Sequence, residues 1–330
     1  MASQQNLGQM PYSNVDRTLR GLAGSAEGFG RKAIGGLHGA VYRVTTLRDD
    51  GPGSLREACR RTEPLWIVFD VSGTMNLSSY IDVSSHKTID GRGQRVVIAG
   101  KGLQLVGCRD VIICNLVFEG GRGDDTDAIQ IKSGSSNIWI DRCSLADYVD
   151  GLIDVTRQST DVTPSRCHFA RHDKTVLIGA DPSHVGDRGV IRVTIHHCFF
   201  DGTRQRHPRV RFGKVHLYNN HIYAVCASVE AQVVSQCNVY EAGRTTKKVF
   251  EYKPEKAADR RDAAAGWIVS KGDAFLNGAV PSLIDGPGVK DVFKPQDYYQ
   301  RWTMDPASSA LKEQVKVIAG WQKVARPRDV

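Results

Sequence analysis

From about residue 41 the chain is written in short apolar, β-branched runs, VYRVTTL, WIVFDVSGTMNL, KTIDGRG, RVVIAG and VIICNLVF, each broken by Gly, Asn, Asp or Ser. No long amphipathic helical period interrupts them before about residue 255. The runs then recur in register. Val111-Ile-Ile-Cys-Asn-Leu, Ile138-Trp-Ile-Asp-Arg-Cys, Val162-Thr-Pro-Ser-Arg-Cys, Val193-Thr-Ile-His-His-Cys and Val215-His-Leu-Tyr-Asn-Asn share one six-residue pattern. Its sixth position falls at Leu116, Cys143, Cys167, Cys198 and Asn220, so the steps are 27, 24, 31 and 22 residues. A sixth copy, QVVSQC, ends at Cys237 after a step of 17.

One short strand per step, with polar turns between, predicts an all-β chain wound as a single-stranded right-handed parallel β-helix, in which each coil buries its apolar face only against its neighbours. Cys143, Cys167 and Cys198 are then expected to stack inside the solenoid as small apolar groups. A β-sandwich would show hairpin turns at closer spacing and no residue types repeated in register. The expected organisation is an N-terminal tail over 1–20, a β-helix domain over 21–285 with its capping region beginning at GFGRKAIGGLHG, and a peripheral helical or irregular C-terminal segment over 286–330.

Composition narrows the partners. Hydrophobic residues make up 41% and charged residues 24% of 330, which excludes wholesale disorder. Lys and Arg outnumber Asp and Glu by 44 to 36, a formal charge of +8 that favours a polyanion: nucleic acid, anionic membrane or acidic polysaccharide. Eight cysteines without CxxC pairs read as buried thiols rather than disulfides. The N-terminal residues show no apolar run of the secretory kind, and no later stretch is long and apolar enough to span a bilayer.

The acidic and basic groups fall in two sets. Asp125 and Asp127, in GGRGDDTDAIQI, are two apart and point the same way in an extended segment; Asp124 is the choice if the register slips by one. Asp150 and Asp154 bracket a short segment one coil further on, so stacking would bring the pairs together. Taken alone, the first pair reads equally as turn residues, and Asp150 as a turn cap. His172, His196, His197, His207 and His216 lack the spacing of a zinc site, and the two rings of the HH pair are expected on opposite faces of a strand.

GGLHGAVYRVTTLRDDGPGSLREACR, WIVFDVSGTM, TIDGRG, SSNIWIDRCSL, DGLIDVTRQST, HDKTVLIG, VTIHHCFFDG and RQRHPRVRFGKVHLYNN stand in one order over roughly residues 20–285. In this the chain resembles the plant pectate lyase-like proteins of polysaccharide lyase family 1. The resemblance implies calcium-dependent β-elimination of de-esterified galacturonan, with an acidic polysaccharide rather than nucleic acid or membrane as partner, a monomer, and a cell-wall address that the N-terminus does not itself suggest. By alignment with the family's motifs it implies Asp125, Asp127, Asp150 and Asp154 as Ca2+ ligands, Arg206 as the base, and Lys174 and Arg211 as binders of substrate carboxylate. An arginine base, normally always protonated, implies crowding by other cations and an alkaline optimum. Two rivals stay open: a polygalacturonase-type hydrolase, which needs paired carboxylates and no arginine base, and a non-catalytic carbohydrate-binding β-helix. Three departures from the family stand out: Arg142 in WIDRC where the family has His, Pro164 inside a strand, and a coil after Asn220 about five residues too short to close.

Overall fold

The computed structural model describes residues 14–329, and three parallel sheets of ten, eight and nine strands run its length. The chain visits them in turn, so that strands of one sheet are one coil apart. In the ten-stranded sheet Val111, Ile138, Val162, Val193, Val215 and Val233 lie side by side in register, all with no solvent exposure. This is the expected β-helix, and the repeated first position of the six-residue pattern is its inward column.

Where the pattern ends, the chain turns in a left-handed conformation. Asn115, Arg142, Arg166, His197, Asn219 and Cys237 stack at that turn with φ between 46° and 58°. The next position inward holds Leu116, Cys143, Cys167 and Cys198, then Asn220 and Asn238. The cysteines are free and buried, as expected. The amides continue the column in a different chemistry: Asn220 Oδ1 accepts from the Cys198 N–H at 2.9 Å, and Asn238 Oδ1 from the Asn220 N–H at 2.9 Å. The last copy of the pattern is therefore shifted by one: Asn238, not Cys237, is the equivalent of Asn220, and the step is 18. The coil nevertheless closes, in compressed form. It contributes Lys214–Tyr218, His221–Ile222 and Val225–Ala227, one strand to each sheet. It does so by shrinking two of its strands and its turns rather than by omitting a side.

The turn geometry also corrects the HH pair. His196 ends its strand and His197 occupies the left-handed turn, so the rings meet on one side with Nδ1 atoms 2.9 Å apart. Burial lowers the pKa of both, and His196 stacks on Tyr218 at 4.6 Å, which is structural chemistry. Pro164 occupies its strand without a donor. Its pairing towards Arg192–His196 is recorded only at Val162 and Ser165, a local gap in the ladder.

GFGRKAIGG does not cap an end of the solenoid. It lies along the outer face of the ten-stranded sheet, where the N–H groups of Phe29, Gly30 and Gly36 donate to the hydroxyls of Thr194, Thr163 and Thr88. The close approach needs glycine: a Cβ on Gly30 would stand 2.7 Å from the Ile138 carbonyl oxygen, and one on Gly36 1.9 Å from that of Leu65. Of the expected tail, residues 1–13 lie outside the described residues, while Val15 and Leu19 pack on Trp66 and Trp139. The end is covered instead by helix α1, Leu55–Arg60, capped by the Ser54 hydroxyl accepting from the Glu57 N–H and burying Leu55, Ala58 and Cys59. Helix α2, Ser309–Ile318, lays Leu311 and Val315 against Val239 of the nine-stranded sheet. From there the chain runs back to Arg326, which reaches Asp70 at 2.8 Å. Among the described residues no helix is long and apolar enough to cross a membrane.

Candidate active site

The outer face of the eight-stranded sheet, and the turns entering it, carry the residues singled out by sequence. Asp125 and Asp127 precede Ile129–Lys132, Asp150 precedes and Asp154 lies within Gly151–Val155, Lys174 opens Lys174–Ile178, and Arg206 precedes Arg209–Val210. These strands are consecutive neighbours, so residues some eighty positions apart occupy four adjacent coils.

The two aspartate pairs are tied by backbone. Asp127 Oδ1 accepts from the Gly151 N–H at 2.5 Å and its Oδ2 from Gln130 Nε2 at 2.8 Å, while Gln130 and Asp154 are register partners. Asp154 Oδ1 is shielded from solvent and has no hydrogen-bond partner among the described residues. Burial, reinforced by the Asp150 and Asp125 charges, raises the pKa of Asp127. Burial followed by the Asp127 charge raises that of Asp154 further, against the pull of Arg206. Asp150 goes the other way: burial is outweighed by the bond from Lys174 Nζ, 2.5 Å from Oδ1, and it is held below the usual carboxylate range. The Asp125 carboxyl reaches Asp150. Like charges brought this close repel unless a cation or proton intervenes, and a buried carboxylate oxygen with no donor is costly. These carboxylates are the groups of the site that could take up a cation or a proton. Among the described residues, however, no three His, Cys, Asp or Glu side chains are arranged so that they could hold a metal ion by themselves.

Arg206 is delivered by a distortion. Lys174 pairs with Gln205 and Leu177 with Arg209, so four steps on one strand answer three on the other. The extra residue is a bulge, with Arg206 at φ 56° and its carbonyl oxygen accepting from the Val176 N–H at 2.7 Å. A bulge of this kind re-aims one side chain out of the alternation of the sheet. Arg211 sits differently. Only 8% exposed, it donates from Nε and Nη2 to Glu255 at 2.8 and 3.1 Å and from Nη1 to the carbonyls of Gly179 and Ala180. Arg209 joins the same glutamate at 2.5 Å.

One residue beside these carboxylates, Tyr80, was missed by sequence reading. The Tyr80 hydroxyl accepts from the Asp127 N–H at 2.8 Å and from Gln130 Nε2 at 3.2 Å, and donates to the Asp125 carbonyl; burial pushes its pKa up to about 12. Nothing in SSYID marks Tyr80, because its partners are supplied by stacking of coils. His172 supports the next turn, with Nδ1 accepting from the Lys174 N–H and Nε2 donating to the Tyr148 carbonyl.

A family model described as pectate lyase matches residues 70–323. The chain belongs to the pectate lyase family. It is 38% identical over 321 residues to pectate lyase 1 of Ambrosia artemisiifolia, covering 88% of this chain and 79% of that one. Its fold matches the crystal structure of jun a 1, the major allergen from cedar pollen, with TM-score 0.80, 31% identity and coverage of 94% and 97%. The pectate lyase Bsp165PelA from Bacillus sp. N165, solved in complex with trigalacturonate, shares the fold at TM-score 0.67 and 22% identity, over 89% of this chain and 98% of that one. The pectate lyase motifs therefore lie on the solenoid that this family uses.

Proposed function

We propose that this protein cleaves de-esterified galacturonan by calcium-assisted β-elimination at the outer face of the eight-stranded sheet. The observation that carries the reading is the bulge that turns Arg206 out of the ladder on the coil beside Lys174 and the aspartate set.

Asp125, Asp127, Asp150 and Asp154 are the oxygen donors that would hold calcium, a cation that takes several carboxylates at once; the unpartnered Asp154 Oδ1 supports that assignment. Bound there, calcium supplies charge neutralisation of a uronate carboxylate, which acidifies the adjacent C5 hydrogen. The chain's own groups do the rest. Lys174 releases Asp150 to pair with substrate carboxylate, and Arg206, entering the step as the neutral guanidine, accepts the C5 proton and becomes the guanidinium. Electrons of the C5–H bond form the C4–C5 double bond as the C4–O bond breaks, and the leaving oxygen takes a proton from solvent. Arg211, fixed by Glu255, holds the floor of the cleft and presents its remaining Nη2–H to a carboxylate.

Hydrolysis is disfavoured because it would rest on a pair of carboxylates and give the arginine turned out by the bulge no role. The test is incubation with polygalacturonate, with calcium or chelator, following absorbance of the unsaturated uronide. Calcium-dependent product that vanishes in Arg206→Ala supports the reading. Reducing ends without unsaturation would mean a hydrolase, and no turnover by folded protein a binding role.

A further inference from the structure

We propose that the 18-residue coil opens a saccharide subsite beside Arg206, extending the substrate cleft; the inference rests on the function just proposed and adds a binding site to it. Successive coils of the ten-stranded sheet advance by 22 residues from Val193 to Val215, 18 from Val215 to Val233 and 35 from Val233 to Ile268. The short coil crosses from the nine-stranded to the eight-stranded sheet with only Tyr223 and Ala224 between its strands. Its neighbours cross with residues 202–208 and 242–249. Two long turns therefore stand as walls over a two-residue floor, and the space between them is a groove of 430 Å³.

The lining has the chemistry of a uronate site. Tyr223 forms the floor, half-exposed, with its ring pinned because the hydroxyl accepts from the Gly202 N–H at 3.1 Å. A fixed aromatic face suits the C–H face of a pyranose, since little side-chain freedom is lost on binding. One wall carries Arg204, on the same turn as Arg206, and the other carries Lys248 on an Arg-Thr-Thr-Lys-Lys turn. That turn is anchored by Lys247 Nζ donating to the carbonyls of Gly243 and Asn277, which leaves Lys248 exposed at the rim. Glu251 is the opposing acid in the lining, and Arg204 is partly drawn to Asp173 at 3.2 Å. His207, buried between Phe200 and Tyr223, has its Nε2 without a partner among the described residues. Burial lowers its pKa to about 4, so it lines the groove as a neutral ring. An aromatic floor with cations on both rims selects an acidic sugar over a neutral one.

The experiment is calorimetric titration of the full chain with hexagalacturonate in chelator, where the proposed calcium-dependent cleavage does not run, for wild type, Lys248→Glu and Tyr223→Ala, with Lys294→Glu as a distant charge control. Each groove variant should weaken hexamer binding about tenfold, the loss of one charge-assisted contact, and raise KM for polygalacturonate without lowering kcat. Lys248→Glu, at an exposed position, keeps the test valid if Tyr223→Ala does not fold. Unchanged hexamer affinity in Lys248→Glu, or equal loss in the control, overturns the subsite even if wild type makes unsaturated product. Groove-dependent binding without any unsaturated product once calcium is added would sink the lyase reading and leave the subsite standing. A wild type that binds no hexamer overturns the subsite outright.

Discussion

Asp127 Oδ1 and the backbone N–H of Gly151 meet at 2.5 Å across neighbouring coils, and this bond fixes how far the two aspartate pairs stand apart. Gly151 leaves no room for more. A Cβ there would lie 2.5 Å from Asp127 Oδ1 and 3.0 Å from Asp154 Oδ1. Gly151→Ala should leave the solenoid's circular dichroism intact and weaken calcium binding about 10- to 100-fold, as expected when the support of a ligand set is disturbed. Calorimetry with calcium chloride checks it, and wild-type affinity in the variant would remove these carboxylates from the metal site.

The raised pKa values of Asp127 and Asp154 make a pH prediction for metal-free protein. A carboxyl whose folded pKa exceeds its unfolded value near 3.8 binds its proton more tightly when folded. The native state then holds more protons than the unfolded state above that value, so stability declines as pH rises through the raised pKa values. Melting temperature in chelator should fall over this window and recover on adding calcium. Asp154→Asn should flatten the profile, raise the metal-free Tm at neutral pH and abolish the calcium response. A profile identical to wild type would mean that the buried carboxyl is not the source.

The repeated six-residue pattern made the β-helix legible because coil stacking turns a sequence period directly into an inward column, as from Val111 to Val233. The same stacking hid what lies between coils. Tyr80 meets Asp127 through a separation of 47 residues, and no period in the chain announces such a contact. Arg206 was legible as a residue type in its motif, whereas its bulge arises from a count of residues against a neighbouring strand. The register error at Cys237 has a like cause: with two strand residues at His221–Ile222, the shortened coil offers too little pattern to fix a one-residue shift. Opposite placement of the HH rings failed because a strand ends in the left-handed turn, where alternation no longer holds.

The strap of GFGRKAIGG is predicted to be a structural requirement. Thr163 Oγ1 both accepts from the Gly30 N–H at 2.9 Å and donates to the Glu27 carbonyl at 2.8 Å. Thr163→Val removes both bonds at a buried position and should cost about 1–3 kcal/mol in urea unfolding. Gly30→Ala should cost more, because its Cβ meets backbone at 2.7 and 2.9 Å that cannot move without shifting two coils. Hydrogen exchange of the Phe29, Gly30 and Gly36 amides, which donate to the sheet's threonines, should speed up before that of the solenoid strands if the strap detaches first.

Arg142, at the family's histidine position, is stabilised by a partner from far upstream. Its Nη1 and Nη2 donate to the Asp16 carboxylate at 2.7 and 2.9 Å, and its Nε to Asp141 at 3.1 Å. Asp141 is fully buried and also accepts from Arg166 Nη2 at 2.6 Å and from the Ser165 hydroxyl. Removing one member of such a buried network leaves an uncompensated charge, so Asp141→Ala should destabilise by about 3–5 kcal/mol. Asp16 is more exposed than Asp141, and Asp16→Ala should cost less by itself. In a double-mutant cycle with Arg142→Ala, however, the two losses should fall short of additivity, because either deletion already breaks the bidentate pair. Strict additivity in urea unfolding would show instead that Asp141 alone compensates the guanidinium, and that the N-terminal segment is held by its other contacts, the Arg92 guanidinium on the Val15 and Leu19 carbonyls and the apolar packing on the two tryptophans.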